Sequence, residues 1–492
     1  MKYTLAIDQS TSATKAMLFD ENTVLFSRSS VEHNQYYPQP GWVEHDPWEI
    51  LSNTYLAVEQ LLKKSKVQKS DITSVAITNQ RETAVVWDKR TGKPVYNGIV
   101  WQCNRGTKIC DDLIAQGYEP QVLEKTGLII NPYFSASGIK WILDNVKGVK
   151  NDAREGHLLL GTIDSWLIWN FTSGKVHATD YTNACRTLLF NINTLEWDSE
   201  LLDLFTVPSG MMPGVLPCDR VYGTTTLNGL LPEIPIAGVL GDSHGALVGQ
   251  MCFSGGMGKA TYGTGSSIAV NIGEEALPAP RGLVTSVGFA AKGKVFYEFE
   301  GNIHCTGATI KWLQDELQLI DSAAESEYLA TSVESTDGVY LVPAFAGLGA
   351  PWWDNSAKAL ICGMNRGTGR AHIVRAALES IAYQIKDLLS LIRESGVKLQ
   401  ELRVDGGPVK NDFLMQFQAD ILQAKINRSP VEEASALGAV LMGGLALNCW
   451  SDLKDITSLR TDNDYITPKM PEKKADTLYS GWKKAVERTL FK

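Results

Sequence analysis

The chain has 492 residues, of which 44% are hydrophobic and 21% are charged, and its formal net charge at pH 7 is -9. This size and composition indicate a globular protein with more than one domain. The acidic balance argues against a protein whose main role is to bind nucleic acid or an anionic membrane, because both need a basic surface.

The first predicted element is a β-hairpin. YTLAID and KAMLFD are apolar runs rich in strand formers, and the turn between them, which follows Asp8, contains small hydroxyl residues. TSVAITN, which ends at Asn79, predicts another strand, and IPIAGVLGDSHGALVGQ predicts a strand, a loop at Asp242 and a helix. KATYGTGSSIAVN predicts a second hairpin with a glycine-rich turn, and LRVDGG predicts a strand that ends at Asp405.

These strands alternate with helical patterns such as HIVRAALESIAYQIKDLLSLIRES, which is typical of an α/β protein with mixed sheets. The two hairpins occupy comparable early positions in the two halves of the chain and suggest an ancient duplication. We therefore predict two lobes, residues 1–249 and 250–492, with the ligand site in the cleft between them.

The turn of the first hairpin, DQSTSATK, has the chemistry of a phosphate site. The hydroxyls of Ser10, Thr11 and Ser12 and the Lys15 ammonium suit phosphate oxygens, while the Asp8 carboxylate can hold Mg²⁺ through water. The alternative is a hydroxyl-rich turn that satisfies its own backbone.

Two glycine-rich turns in the second half offer similar chemistry. The turn around Thr264 and Gly265 lets an anion approach the backbone closely. DGGPVKN could admit a planar ring beside Asn411, although a helix cap is the simpler interpretation of that asparagine. The chain has no nucleotide P-loop and no GxGxxG after a strand, so any ATP must bind on a different scaffold.

Asp242 is the candidate general base. It lies between a predicted strand and a predicted helix, where a carboxylate could take the proton of an attacking alcohol. The alternative is a helix N-cap, with His244 as no more than a polar neighbour.

NQRET places Arg81 next to Glu82 after a strand, a donor fork beside an acceptor that suits vicinal hydroxyls, although such a pair is often merely solvated. Trp42, Trp101 and Tyr133 lie near polar residues, as aromatic residues do in polyol sites, but aromatic residues are also common in protein cores.

The order of these motifs along the chain identifies a protein family more specifically than any single motif does. DQSTSATKAMLFD, GWVEHDP, NQRET, VWQCNR, NPYFSASGIKWILDN, GTIDSWLIW, DYTNACRT, GDSHGAL, YGTGSS, GLGAPWWD, RAALESIAYQ and DGGPVKNDFLMQFQ together resemble the FGGY carbohydrate kinases, most closely the branch that phosphorylates glycerol. The resemblance extends from Tyr3 to about Trp450. It implies two ribonuclease-H/actin-like lobes with an interlobe active-site cleft, and ATP-dependent phosphorylation of a primary hydroxyl of glycerol or a related polyol.

The resemblance also implies roles for individual residues. It makes Asp242 the catalytic base, places Asp8 near the metal and makes Trp101 one wall of the substrate pocket. The implied substrate-binding residues are Arg81, Glu82, Trp101, Tyr133, Asp242, Ser243 and Ser267. The implied ATP-binding residues are Ser10, Thr11, Ser12, Lys15, Thr264, Gly265, Gly307, Lys311, Gly407 and Asn411, of which Gly407 and Asn411 flank the adenine.

The chain departs from the glycerol-phosphorylating pattern near the implied base. That branch usually has two glutamines where this chain has Ser243 and His244, a phenylalanine at Ser267, and an arginine-rich pair at Asn104-Arg105. Smaller, more polar side chains suit a four- or five-carbon substrate such as erythritol, ribulose or xylulose. Alternatively, water fills the space and the substrate is unchanged, because volume alone discriminates weakly.

Other sequence features bear on the location, cofactors and oligomeric state of the protein. The eight cysteines form no CxxC pair or zinc-like group, and MKYTLAIDQS carries no secretion signal, so we expect reduced thiols in a cytoplasmic protein. ALGAVLMGGLALNCW is too short to span a bilayer and predicts a buried helix rather than membrane insertion. From the resemblance we expect ATP and Mg²⁺ as cofactors and a homodimer or homotetramer. A noncatalytic nucleotide sensor of the actin-like fold would have no reason to keep the hydroxyl-binding set.

Overall fold

The computed structural model describes residues 1–345, 347–352, 354, 356–431, 433–460 and 464–490. In the described ranges, the strands in chain order are β1 (Tyr3–Gln9), β2 (Ala13–Asp20), β3 (Leu25–Glu32), β4 (Glu44–His45), β5 (Ile72–Asn79), β6 (Ala84–Asp88), β7 (Gly98–Ile99), β8 (Leu158–Thr162), β9 (Ala178–Asp180), β10 (Phe190–Asn191), β11 (Glu196–Trp197), β12 (Gly214–Leu216), β13 (Val221–Thr225), β14 (Ile234–Gly241), β15 (Met257–Tyr262), β16 (Ser266–Gly273), β17 (Val284–Ala291), β18 (Lys294–Ile303), β19 (Tyr340–Val342), β20 (Leu360–Cys362), β21 (Glu401–Gly406), β22 (Ile426–Arg428) and β23 (Asp464–Ile466).

The helices in the same ranges are α1 (Pro47–Ser65), α2 (Thr107–Ala115), α3 (Glu119–Thr126), α4 (Ser135–Asn145), α5 (Val149–Arg154), α6 (Ile163–Phe171), α7 (Tyr181–Ala184), α8 (Ser199–Leu204), α9 (Asp242–Gly249), α10 (Gly307–Asp315), α11 (Glu325–Thr331), α12 (Arg370–Glu394), α13 (Asp412–Leu422), α14 (Ala434–Ala446), α15 (Leu453–Ser458) and α16 (Glu472–Leu490). Short 3₁₀ turns lie at Lys69–Asp71, Ser209–Met211 and Gly407–Lys410. No helix of the described residues is long and apolar enough to cross a membrane.

The two halves of the chain are built on the same sheet plan. In the first half the strand order is β13-β14-β5-β1-β2-β3, and in the second it is β17-β18-β16-β15-β21-β22-β23. In each sheet the opening strand pairs antiparallel with its hairpin partner, β2 or β16, and parallel with a later strand, β5 or β21. Both predicted hairpins are thereby confirmed, and the repeated plan is that of two ribonuclease-H/actin-like lobes.

The parallel direction of three strands in the first sheet brings the candidate functional residues together. β1, β5 and β14 run parallel, with β5 between the other two. Their apolar residues are almost continuously buried, as expected for strands covered on both faces. Because the carboxyl ends of parallel strands meet at one edge, Asp8, Arg81 and Asp242 arrive at the same edge from three distant parts of the sequence.

A pair of helices joins the two halves. α9 follows β14 directly, and α14 packs against α9 as well as against β14 and β5 of the first sheet. One buried apolar cluster accordingly draws residues from both halves, including Leu240 and Leu247 from the first and Phe289 and Leu441 from the second. α9 ends at Gly249, where the lobe boundary was predicted, and the boundary itself stays a prediction.

Glycines allow α9 and α14 to approach closely. A Cβ atom built on Gly438 would lie 2.0 Å from the carbonyl oxygen of Gly245, and one built on Gly249 would lie 2.0 Å from the carbonyl oxygen of Ala434. These distances are to backbone atoms, which cannot move aside without separating the helices. The predicted buried helix is therefore confirmed, and its glycines form a close-packing surface.

Replacement of Gly438 by alanine is expected to lower the free energy of unfolding by about 3 kcal/mol, because the added methyl group overpacks a backbone-to-backbone contact. Urea unfolding followed by circular dichroism would measure the change. Gly210→Ala is the matched control, since a Cβ at Gly210 meets nothing within 4 Å. An unchanged midpoint for Gly438→Ala would contradict the close-packing interpretation.

Candidate active site

Asp242 and Arg81 form the centre of the site. Asp242 is the first residue of α9, and its Oδ1 lies 3.4 Å from Arg81 Nε. Arg81 is buried, whereas 39% of the Asp242 side chain is exposed, so this carboxylate faces the cleft. The helix N-cap is Gly241, so the capping alternative for Asp242 is wrong. Asp242 is therefore free of a capping role and accessible to a ligand.

Asp8 is a buried carboxylate at the end of β1. Burial raises the pKa of Asp8 to about 7; Lys15 opposes the shift, while the nearby Asp242 and Glu433 carboxylates add to it. Lys15 Nζ lies 3.9 Å from Asp8 Oδ2 but only 2.7 Å from Glu433 Oε2. A buried carboxylate whose pKa is raised by other carboxylates suits an oxygen-binding cation.

The hydroxyl residues of the first hairpin turn differ in their contacts. Ser10 Oγ donates to the carbonyl oxygen of Ala13 at 2.9 Å, as the self-satisfied turn requires. Thr11 Oγ1 accepts a hydrogen bond from Trp101 Nε1 at 2.9 Å, and Ser12 is exposed. Ser10 thus follows the self-satisfied alternative, whereas phosphate contacts of Ser10, Thr11, Ser12 and Lys15 stay a prediction.

A buried network of opposite charges supports Arg81. Glu300 accepts from Arg81 Nη1 at 2.9 Å and from Nη2 at 2.6 Å, and it also lies 2.8 Å from Arg186 Nη1. Arg186 Nε in turn donates to Glu82 Oε1 at 2.7 Å. Burial alone would raise the pKa of Glu300, but Arg186 and Arg81 outweigh it and hold that pKa well below its usual range. The alternative of a solvated Arg81-Glu82 pair is therefore wrong, because both side chains are buried within this network.

The backbone at Glu82 is in the left-handed region, with φ of 61°. A non-glycine residue in this region costs free energy and is held there by its surroundings. Ser135 Oγ donates to the Glu82 carbonyl oxygen at 2.7 Å, and Arg186 holds the carboxylate. One of the strained backbone positions is thus a predicted substrate-binding residue.

Trp101 and Tyr133 form an aromatic wall next to this network. Their ring centroids are 5.4 Å apart in an edge-to-face arrangement. Burial, and then the Glu82 carboxylate, raise the pKa of the Tyr133 phenol. Trp42 belongs elsewhere, because it packs on Trp141 and under the Arg105 guanidinium.

Ser243 and Ser267 lie together, as the resemblance implied. Their Oγ atoms are 3.0 Å apart, and Lys259 Nζ lies 3.2 Å from each. Lys259 is 1% exposed, and its other hydrogen-bond contact is Thr261 Oγ1 at 3.4 Å. The positions next to Asp242 thus have a polar lining of hydroxyls over a buried ammonium group.

The remaining predicted nucleotide residues lie in the second half of the chain, in two groups. Thr264 and Gly265 lie in the β15–β16 turn, and the amide of Gly307, at the start of α10, donates to the Gly263 carbonyl at 2.9 Å. The Lys311 side chain on α10 is 78% exposed and 3.9 Å from Asp315.

Gly407 begins a 3₁₀ turn, and Asn411 caps α13 by accepting from Leu414 N at 2.8 Å. The capping interpretation of Asn411 is confirmed. Contact of both groups with a nucleotide stays a prediction.

Sequence reasoning missed Glu300, Arg186, Lys259 and Glu298. Glu298 and Glu300 both lie in the otherwise apolar run VFYEFEG, and two carboxylates at i and i+2 of such a strand are a signal that they meet buried cations. Arg186 follows the apolar-polar mixture DYTNAC, where nothing marks it as buried.

Two lobes of this type around a cleft lined by carboxylates, a donor fork and aromatic rings define the class of two-lobed sugar kinases. The model of the FGGY family of carbohydrate kinases, N-terminal domain, matches residues 3–249, and that of the C-terminal domain matches residues 258–447.

Curated relatives match along nearly the whole chain. Glycerol kinase from Shewanella woodyi is 51% identical over 490 residues, covering 99% of both chains. Glycerol kinase 2 from Thermotoga maritima is 50% identical over 491 residues, covering 100% of this chain and 99% of the relative.

Solved structures of carbohydrate kinases also resemble this chain. Plasmodium falciparum glycerol kinase with ADP has a TM-score of 0.95 at 38% identity and covers 100% of this chain and 99% of that one. A xylulose kinase from Lactobacillus acidophilus, at 21% identity, shares the fold with a TM-score of 0.88, covering 99% and 97% of the two chains. The protein belongs to the FGGY family of carbohydrate kinases.

Proposed function

We propose that this protein is a glycerol kinase, which transfers the γ-phosphoryl group of ATP to a terminal hydroxyl of glycerol and releases glycerol 3-phosphate and ADP. The observation that carries the proposal is the exposed Asp242 carboxylate beside the fixed Arg81 fork, at the sheet edge that also holds Asp8. The identity of about half to glycerol kinases and the likeness to an ADP-bound glycerol kinase support the choice of substrates.

In the proposed reaction, Asp242 accepts the proton of the terminal hydroxyl as its oxygen attacks the γ-phosphorus. The new oxygen–phosphorus bond forms while the bond to the β-phosphate oxygen breaks, and the electrons leave with ADP. Arg81 and Glu82 bind the remaining hydroxyls, one as donor and the other as acceptor, and Trp101 and Tyr133 cover the carbon face. Because the charged network is buried and rigid, the alcohol is held in one orientation.

Asp8 would hold Mg²⁺, which neutralises charge on the β- and γ-phosphate oxygens when it is bound. The fit rests on the buried carboxylate itself, whose pKa is raised by burial and, further, by the nearby Asp242 and Glu433 carboxylates. We assign the phosphates to the turns at Ser10–Ser12 and Thr264–Gly265, with Lys15 and Lys311 as further donors. We assign the adenine to the backbone near Gly407 and Asn411, and Gly307 to a further contact with the nucleotide.

A second candidate substrate is a longer polyol or ketose, such as erythritol, ribulose or xylulose. The observation that favours it is the polar lining of Ser243, Ser267 and Lys259, which offers hydrogen bonds to an additional hydroxyl. The same Asp242 and nucleotide groups would serve either substrate, so the two candidates differ only in the pocket.

The test is ADP release from MgATP across glycerol, erythritol, the pentitols, dihydroxyacetone, ribulose and xylulose at equal concentrations. We expect glycerol to have the highest kcat/KM. A longer polyol with a higher value would replace glycerol as the substrate, and a chain that phosphorylates none of them would support the nucleotide-sensor alternative.

Sedimentation of the same sample tests the expected homodimer or homotetramer, and cell fractionation tests the expected cytoplasmic location.

A further inference from the structure

Glu298 is a buried carboxylate that the proposed reaction does not use. It lies on β18 two residues before Glu300, so both side chains project from the same face of the strand. Glu298 is 0% exposed, and within the described part of the chain neither carboxylate oxygen accepts an aligned hydrogen bond. The polar side chain that faces it is His244, whose Nε2 lies 3.1 Å from Glu298 Oε1. A buried carboxylate with so few partners is costly unless that contact serves a purpose.

His244 is equally buried and lies between two charged groups. Its Nε2 faces Glu298, and its Nδ1 lies 3.5 Å from Arg81 Nη1. A guanidinium group can only donate hydrogen bonds, so Nδ1 facing Arg81 is the unprotonated acceptor. The ring proton then resides on Nε2, where the Glu298 carboxylate favours it. The two neighbours therefore select the same tautomer.

Each nitrogen of the Arg81 guanidinium has a partner. Nη2 and Nη1 donate to Glu300, Nη1 also faces His244, and Nε faces Asp242 Oδ1 at 3.4 Å. Glu300 binds one edge of the Arg81 guanidinium group. The His244 ring, which lies beside Nη1, limits rotation of the guanidinium plane about that edge. Whatever sets this plane also sets the direction in which Nε meets Asp242.

We propose that the Glu298–His244 pair is a positioning device that orients Arg81 and, through it, the Asp242 carboxylate. Neither residue touches the substrate in this scheme; each acts through Arg81. The proposal rests on the proposed function because it assigns Asp242 as the group that meets the alcohol.

The test uses full-length protein and three variants. Glu298→Gln keeps the volume but removes the charge that holds the proton on Nε2, and His244→Gln removes the ring. Both are expected to lower kcat/KM for the alcohol about tenfold while leaving KM for ATP unchanged, because a small misorientation affects only the reacting alcohol. The double variant is expected to be no worse than the poorer single variant, since both residues act through one contact.

His177→Gln is the matched control, because His177 is a partly buried histidine whose Nε2 lies 2.8 Å from the Leu160 carbonyl oxygen, and it does not belong to the candidate site. A purely structural role would lower Tm in all variants and leave the ratio of the alcohol and ATP constants unchanged. That outcome overturns the proposal, as does kcat/KM within twofold of wild type in both single variants. If one single variant does not fold, the other single variant decides on the same criterion.

A measurement without turnover separates this proposal from the proposed function. Nitrogen-15 spectra of histidine-labelled protein, with His244 assigned from the His244→Gln variant, are expected to show the proton on Nε2 in the wild type. A proton on Nδ1 overturns the proposal. Kinetics are recorded with whichever alcohol the wild type uses best; if it uses none, the proposed function fails and the spectra alone decide the positioning role.

Discussion

The Asp242→Asn enzyme is expected to retain ATP binding and lose turnover by about a thousandfold or more, the contribution of a well-placed general base. Asparagine keeps the shape of the side chain and can still face Arg81, so the loss would report the missing proton acceptor rather than a rearranged site. Single-turnover phosphoryl transfer and the affinity for a fluorescent ATP analogue would measure the two effects separately.

Asp88→Asn is a suitable control for this substitution. Asp88 is also an arginine-bound aspartate at a strand end, with Arg90 Nε 2.9 Å from its Oδ1, but its arginine is exposed and neither residue belongs to the candidate site. The control is expected to keep full activity. If Asp242→Asn retained more than a tenth of wild-type turnover, another group would have to be the base.

Glu300→Gln is expected to weaken both the fold and alcohol binding. The neutral side chain leaves Arg81 and Arg186 buried without their shared carboxylate, and breaking a buried pair of this kind costs about 3–5 kcal/mol. KM for the alcohol is expected to rise at least about tenfold, because Arg81 loses its bidentate partner. Urea unfolding and steady-state kinetics at pH 7 would measure these effects.

The pH dependence of the Glu300 effect has a definite sign. Since the folded state holds the pKa of Glu300 below its ordinary value, its stabilisation is present above that ordinary value and is lost as the pH falls toward the folded one. The wild type and Glu300→Gln should therefore converge in stability in acid. Glu274→Gln, which breaks the exposed pair with Lys294, should change the unfolding free energy by less than about 1 kcal/mol at any pH. Equal midpoints for Glu300→Gln and wild type at pH 7 would contradict the assignment.

Much of the fold was predictable because its signals are local. The hairpins at β1–β2 and β15–β16 follow from apolar runs around polar turns, and the α14 helix follows from an apolar run notched by glycines. The short strands β4 and β7 were not predictable, because their two residues each pair only when distant segments come together. The parallel pairing of β1 with β5 is also non-local, and without it the proximity of Asp8 and Asp242 could not be derived from sequence patterns.

The residues expected to contact the ligands were predicted better than the residues that support them. Asp242, Arg81, Glu82, Trp101 and Tyr133 are adjacent in space as the resemblance implied. The supporting residues were missed because burial of a charge depends on a partner far away in the sequence: Glu300 is 219 residues from Arg81. The capping role of Asn411 shows the opposite case, in which a local pattern predicted the local contact correctly.

The position of Asp242 at one end of α9 has a mechanical consequence. The helix has eight residues and is about 12 Å long, and its other end, Gly249, packs against the backbone of α14. A rotation of the α9 axis by about 10° about the Gly249 end therefore moves the Asp242 carboxylate by about 2 Å. An error of about 1 Å in the position of a reacting group can cost about a hundredfold in rate, so the angle between two glycine-packed helices also governs whether the phosphoryl group can be transferred at all.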